Sequence, residues 1–219
     1  MIMRIESRIA RFAACIIALI GWVGLAVQLS AVINQVGSTA SALWIMLRFF
    51  TVLTNLLVAI VLTGIVLGVA ACRSQRLLGL MTLSILLVGA VYVLLLRGLV
   101  ELSGGAATAN LILHYIIPSL TVLFWLLFAP KGALNWRDPL LWALYPLAYF
   151  FYALARGAMG GKYPYPFMDI PKIGLASTMT NVTIILIIFL VIGSLFVWLG
   201  RFLDRPQRER ITPAVTPDH

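Results

Sequence analysis

Polar side chains with chemical potential interrupt the long apolar stretches of this chain at eight positions: Arg48, Thr51, Asn55, His114, Tyr145, Tyr149, Arg156 and Asn181. The interior of a bilayer offers no water to solvate such groups, so polar residues there are costly and usually mark a site, a path or a partner. His114 is the only histidine within an apolar stretch, because the other one is residue 219. An imidazole is a good general base, and a hydroxyl at the same depth is the nucleophile that it would activate.

The composition predicts a membrane protein. The chain has 219 residues, of which 62% are hydrophobic and 11% charged, and its mean hydropathy is +1.04. Soluble domains do not have this composition. A helix needs roughly 20 apolar residues to cross the bilayer core, and six stretches are of about that length: 10–33, 49–71, 77–98, 108–129, 139–157 and 174–199. We therefore predict an all-α, polytopic, six-helix transmembrane domain over residues 1–200, followed by a basic, disordered cytoplasmic tail over 201–219.

The distribution of Lys and Arg predicts the orientation of these helices. Eleven of the 16 basic residues fall at the ends and loops of one side, and five, which are Arg48, Arg97, Arg156, Lys162 and Lys172, fall on the other. The positive-inside rule places the richer side in the cytoplasm, so both termini are expected there. This bias accounts for the net charge of +9, so the charge does not indicate a nucleic-acid partner; the expected partners are the bilayer and its lipids.

The polar residues are predicted to share one layer near the outer face and to face one another. Arg48, Thr51 and Asn55 are spaced i, i+3 and i+7, which is one face of a helix. His114 lies one to two turns into the fourth helix, and Pro118 four residues later has no N–H for the His114 carbonyl, which predicts a kink. The fifth helix carries a second stripe, made of Tyr145, Tyr149, Tyr152 and Arg156, and Asn181 lies about two turns into the sixth. Together they predict a polar pocket.

Spacing alone does not select the nucleophile. Hydroxyls at this depth belong to Thr51, Thr54, Ser177, Thr178 and the tyrosines. Each polar residue also has a structural explanation: a threonine in a membrane helix usually bonds to its own i−4 carbonyl, a lone histidine bridges helices, and arginines extend to the headgroups. No Cys, Asp or Glu cluster completes a metal site around the histidine, and two-histidine haem ligation is excluded, so no metal and no cofactor is expected.

Three short motifs resemble a family of six-transmembrane bacterial membrane proteins. They are Arg48-Phe49-Phe50-Thr51-Val52-Leu53-Thr54-Asn55-Leu56 at the second helix, His114-Tyr115-Ile116-Ile117-Pro118 at the fourth, and Tyr163-Pro164-Tyr165-Pro166-Phe167-Met168-Asp169 before the sixth. The resemblance covers roughly residues 8–200 and implies location in the bacterial inner membrane. That family is similar to the eukaryotic androgen-induced gene and androgen-dependent membrane proteins, in which the third motif has no clear counterpart.

The eukaryotic relatives are intramembrane threonine hydrolases that cleave fatty acid esters of hydroxy fatty acids. Their nucleophilic threonine follows a basic-aromatic-apolar triplet, which falls here on Arg48-Phe49-Phe50, so the resemblance implies Thr51 as the nucleophile and His114 as its base. On this interpretation Asn55 donates to the oxyanion, Tyr149 or Asn181 orients the imidazole, and Arg48 or Arg156 holds a carboxylate of the substrate.

A second class of function is a non-catalytic membrane protein that binds lipid or transports a small molecule. Transporters often have inverted repeats and broken helices at the membrane centre. The sequence has no such repeat, and its polar layer is off-centre. These features favour the lipid ester hydrolase over a transporter and leave lipid binding as the alternative.

Overall fold

The computed structural model describes residues 5–211, and every regular element in that range is helical. The helices are α1 (Arg8–Val36), α2 (Thr39–Met46), α3 (Phe50–Val66), α4 (Gln75–Val91), α5 (Gly104–Leu111), α6 (Ile117–Phe128), α7 (Asp138–Gly160) and α8 (Ile170–Ile211). A π-helical turn at Tyr92–Leu96 extends α4, and another at Ile112–Ile116 joins α5 to α6. The all-α prediction is confirmed for this part of the chain.

Four helical segments are long and apolar enough to cross a membrane: Arg8–Val36, Gln75–Leu96, Gly104–Phe128 and Ile170–Asp204. A fifth is obtained if α2 and α3, which are bent by 95° to each other, form one broken span. Helix α7 has 23 residues, but its prolines, tyrosines and arginine make it less apolar than the others. These helices are compatible with an integral membrane protein.

Helix α2 lies in a region for which the sequence predicted no helix, between the first two predicted spans. Gly37 ends α1 in the left-handed region, with φ at 74°, and its N–H donates to Ile33. The Ser38 side chain then accepts from the N–H of Ser41 and caps α2. The eight residues of α2 are too few to cross a bilayer. The threonine and serine near its start also lower its hydropathy, so no apolar stretch was predicted there.

The C-terminal boundary also differs from the prediction. Helix α8 continues to Ile211, so the predicted start of a disordered tail at residue 201 falls inside the helix. Residues 212–219 of that tail lie outside the described part. Gly174 interrupts the helix near its start, with φ at 79° and ψ at 160°.

The π-helical turn that carries His114 lies between two glycines on neighbouring helices. On α1, a Cβ at Gly24 would lie 2.5 Å from Ile112 Cγ2 and 3.0 Å from Leu113 Cδ2. On α4, a Cβ at Gly89 would lie 3.2 Å from the His114 carbonyl oxygen. At Gly24, α1 therefore approaches the turn more closely than a larger residue permits without movement, and at Gly89 a larger residue would require a shift of a few tenths of an ångström.

Replacement of Gly24 by alanine should destabilise the fold, because the β-branched Ile112 side chain has little rotamer freedom to move away. We expect Gly24→Ala to cost about 1–3 kcal/mol, as overpacking does. Gly21 is the matched control, since its added Cβ would meet Ala59 and Ile117 at 3.6 Å, an ordinary contact. Thermal unfolding of the two purified variants measures the difference, and equal melting temperatures would contradict this packing.

Candidate active site

The sharp junction between α2 and α3 is held by side chains of α7. The last carbonyls of a helix lack partners within it, and three carbonyls at the end of α2 accept hydrogen bonds from α7 instead. Arg156 Nη2 donates to Trp44 O at 2.7 Å, Tyr152 donates to Leu47 O at 3.0 Å and Tyr149 to Arg48 O at 2.8 Å. The Arg156 guanidinium also stacks 3.8 Å above the ring of Trp44. The predicted stripe on the fifth helix therefore caps α2.

The first N–H groups of α3 face two tyrosine hydroxyls. Phe49 precedes the helix without any side-chain cap, and the hydroxyls of Tyr149 and Tyr165 lie against the Phe50 amide. The Tyr165 hydroxyl also lies against the amide and the hydroxyl of Thr51. Burial raises the pKa of Tyr165, so its hydroxyl stays protonated and remains a donor at neutral pH.

Thr51 and His114 meet at the centre of this arrangement. The Thr51 Oγ1 and His114 Nε2 atoms are 3.2 Å apart, so the proximity that the sequence predicted is present. His114 Nδ1 lies 3.3 Å from the carbonyl oxygen of Asn110. A carbonyl only accepts, so in the neutral ring Nδ1 carries the hydrogen and Nε2 is the free acceptor. The threonine hydroxyl then donates to Nε2, which is the arrangement that a general base requires.

The ring of His114 is fixed on its other side by α4. Tyr92 stacks on the imidazole with 4.2 Å between ring centroids, and Asn110 Nδ2 donates to the Tyr92 hydroxyl at 2.7 Å. The π-helical turn follows from Pro118, which cannot donate to the His114 carbonyl in α-helical register; Ile117 N bonds to Ile112 O, five residues back. Such turns are frequent at functional sites, and this one directs the imidazole at Thr51.

A cavity of about 80 Å³ adjoins Thr51, and His114 is not among the residues that line it. One water molecule needs roughly 10–15 Å³ by the same kind of measure, so the cavity admits a larger group. It lies between α3, α4, α7, α8 and the loop before α8, and no charged residue lines it; its hydroxyl groups belong to Thr51, Tyr149 and Tyr165. The cavity therefore suits an apolar ligand that presents its reactive atom to Thr51.

Asn55 and Asn181 have hydrogen-bond partners other than those that the sequence predicted. Asn55 is fully buried, and its Nδ2 already donates to the carbonyls of Thr51 and Leu113 at 2.8 and 3.2 Å. It joins α3 to the π-helical turn and has no donor for an oxyanion. Asn181 donates to Phe167 O at 3.2 Å, and it fixes the loop before α8 rather than the imidazole, which the Asn110 carbonyl orients.

The arginines and Tyr149 also differ from their predicted roles. Arg156 is 9% exposed, bonds to Trp44 O and, at 2.9 Å, to the hydroxyl of Tyr152, and does not line the cavity, so the structure assigns it to the end of α2. Tyr149 bonds to Arg48 O and does not orient His114. Arg48 is half-buried, and its Nε atom has no hydrogen-bond partner among the described residues, so its predicted role stays a prediction.

The other candidate hydroxyls face elsewhere. Thr54 Oγ1 lies 3.3 Å from the hydroxyl of Tyr145, one turn deeper than Thr51. Thr178 donates to Gly174 O at 3.0 Å, the i−4 bond expected of a threonine in a membrane helix, and Ser177 is exposed. Within residues 5–211, Thr51 is the hydroxyl that bonds to His114.

Three residues of the site were missed by sequence reasoning. Asn110 precedes His114 by four residues on the same helical face, a signal that was available. Tyr92 lies on a different helix with no pattern linking it to His114. Tyr165 stands in the third motif without an assigned role, yet it is buried between Phe49 and Phe167, with ring centroids at 6.0 and 5.2 Å.

Comparison of the chain with protein-family models, with curated proteins and with solved structures finds no match. A function for this protein is therefore inferred from the geometry of the site.

Replacement of Arg156 by glutamine should loosen α2, because glutamine cannot reach Trp44 O and stack on its ring together. A hydrogen bond from a charged donor contributes about 1.5–3 kcal/mol, so we expect faster amide hydrogen exchange throughout α2 and at the start of α3. Arg97→Gln is the matched control, since Arg97 is exposed at the end of α4. Exchange measured by mass spectrometry that is unchanged in α2 would contradict the capping role.

Proposed function

We propose that this protein is an intramembrane hydrolase of lipid esters, such as fatty acid esters of hydroxy fatty acids, with Thr51 as nucleophile and His114 as general base. One observation carries the proposal: Thr51, whose hydroxyl lies within hydrogen-bond distance of the His114 imidazole, is also one of the residues that line an apolar cavity. A hydrogen bond that only holds two helices together does not require a cavity beside the donor residue.

The chemistry follows the usual order for an activated hydroxyl. The Thr51 oxygen attacks the ester carbonyl carbon while His114 Nε2 takes its proton. The tetrahedral intermediate expels the alcohol, which receives that proton from the imidazolium, and the acyl group stays on Thr51. Water, deprotonated by His114, then attacks the acyl-threonine, and the carboxylic acid leaves as Thr51 regains its proton. These steps use no cofactor.

The oxyanion would be stabilised by donors that already surround Thr51. The amides of Phe50 and Thr51 face the hydroxyls of Tyr149 and Tyr165 in the free protein, so the oxyanion would replace a tyrosine hydroxyl as their acceptor, with the displaced Tyr165 hydroxyl as a further donor. The amides carry the partial positive charge of the α3 N-terminus, which favours negative charge. Arg48, at the same end of α3, is the residue that we propose holds a substrate carboxylate.

The proposed setting is a bacterial inner membrane crossed six times, with both termini in the cytoplasm. The first crossing is α1, the second is formed by α2 and α3 together, and the third is α4. The fourth is formed by α5 and α6 together, the fifth is α7 and the sixth is α8. The excess of Lys and Arg on one side supports this orientation, and it places Thr51 near the outer leaflet. The resemblance to the bacterial six-transmembrane family and its eukaryotic threonine hydrolases supports the same assignment.

Alanine at Thr51 or at His114 should each abolish hydrolysis of a long-chain hydroxy-fatty-acid ester by the purified protein. The double variant should be little worse than either single one, because residues that act as a unit are strongly non-additive. Thr51→Ser keeps a hydroxyl and should retain measurable turnover. Thr54→Ala, the same chemical change one turn deeper, serves as the control and should keep most activity.

Stability must be checked in parallel, and loss of one hydrogen bond between membrane helices costs only about 0.6–2 kcal/mol, so all variants should remain folded. Turnover that is indifferent to Thr51→Ala would overturn the nucleophile. A folded wild-type protein that hydrolyses no ester across a broad panel of chain lengths and alcohols would overturn the enzyme and favour the lipid-binding alternative.

Reporter fusions test the six crossings. Fusions at Gly37, Ser74, Glu101, Gly132 and Gly161, and one at the end of α8, should report alternately outside and inside, with the last one inside. Alkaline phosphatase and green fluorescent protein activities measured at each point give the two signals. Two successive fusions on the same side would contradict the six crossings.

A further inference from the structure

The cavity beside Thr51 is elongated along the helices. On α8 its lining residues Val182, Ile185, Leu186 and Phe189 form one face, and seven residues of helix span roughly 10 Å. On α4 the lining extends from Leu87 to Leu96, roughly 13 Å by the same rise. The long axis therefore runs from the level of Thr51 towards the opposite end of the bundle.

The two ends of the cavity differ in chemistry. The lining residues that carry a hydroxyl, Thr51, Tyr149 and Tyr165, lie at the end nearest the loop before α8, and Leu87, Pro146 and Phe189 lie deepest along their helices. The polar end matches an ester group, and the apolar end matches the terminal part of a hydrocarbon chain.

The far end is closed by tight packing between α4, α7 and α8. Phe189 is 2% exposed. One turn beyond it, a Cβ at Gly193 would lie 3.1 Å from Leu83 Cδ2 and 3.0 Å from Pro139 Cβ, so this glycine lets the three helices touch. Towards the loop, the residues of α4 and α8 that line the cavity are only half-buried, as Val91 and Leu186 are.

We propose that this cavity binds one unbranched acyl chain, which enters between α4 and α8, and that the ring of Phe189 limits the length of chain that fits. The inference rests on the proposed function, since it assigns the acyl side of the ester to this cavity. Phe189 is thus a specificity-determining residue, at the opposite end of the cavity from the nucleophile.

The limit on chain length can be measured as the dependence of Kd on the number of carbons in the chain. Each methylene that enters an apolar cavity contributes about 0.8 kcal/mol, or about fourfold in Kd. Affinity for straight-chain fatty acids should therefore rise about fourfold per carbon until the chain reaches Phe189 and then level off. Phe189→Ala should move this plateau to longer chains by roughly three methylenes, the approximate size of the lost ring, whereas Phe189→Trp should move it to shorter chains.

The experiment measures Kd for saturated fatty acids of increasing length on protein in nanodiscs, in a Thr51→Ala background that cannot turn over. Ile188→Ala is the matched control, because Ile188 is 48% exposed on the outer surface of α8 and does not line the cavity; its plateau should stay at the wild-type length. Phe189→Leu gives a smaller enlargement if the alanine variant does not fold, and its plateau should move in the same direction.

The inference would be overturned by a plateau that is unchanged in the alanine, leucine and tryptophan variants, by one that moves equally in Ile188→Ala, or by absence of fatty acid binding. Binding without any hydrolysis by the parent would overturn the enzyme and leave the chain site standing. If the protein hydrolyses esters but its preference for chain length is unchanged by substitution of Phe189, the proposed enzyme stands and this cavity is not the acyl site.

Discussion

The site depends on the satisfaction of backbone polar groups at the sharp junction between α2 and α3. A helix end within the hydrocarbon core of a bilayer has no water to bond its free carbonyls and amides, and each unsatisfied group costs several kcal/mol. Here α7 supplies Tyr149, Tyr152 and Arg156 to the carbonyls at the end of α2, while Tyr149 and Tyr165 face the first amides of α3. The junction places Thr51 in the first turn of α3, with its hydroxyl directed at His114.

A second constraint fixes the imidazole. Pro118 removes one helical hydrogen bond, the chain widens into a π-helical turn, and Gly24 and Gly89 allow α1 and α4 to hold that turn from two sides. Asn110 and Tyr92 then determine which ring nitrogen carries the hydrogen and how the ring is turned. The imidazole is therefore oriented by a backbone carbonyl and an aromatic ring, and among residues 5–211 no carboxylate bonds to it.

The sequence predicted the helical class, most helix positions and the location of Thr51 and His114 in one layer, because these follow from apolar length, from depth and from helical periodicity. Spacing did not single out Thr51 among the hydroxyls, and that choice came from the family resemblance. It did not predict α2, which is too short to show an apolar span. It also misassigned the stripe of Tyr149 and Arg156 to the pocket: periodicity shows that two residues share a face, but not which backbone groups lie opposite. Tyr165 was missed as a site residue because a loop of prolines and aromatics carries no periodic signal for burial.

The central claim is that Thr51 becomes covalently acylated, and peptide mapping after treatment with a long-chain fluorophosphonate tests it most directly. Mass spectrometry of the wild-type protein should find the adduct on the peptide that contains Thr51, with fragment ions assigning it to that hydroxyl. The rate of its formation should fall sharply in His114→Gln, since the amide of glutamine cannot accept the proton. An adduct on another residue, or labelling of Thr51 at the same rate without His114, would contradict the account.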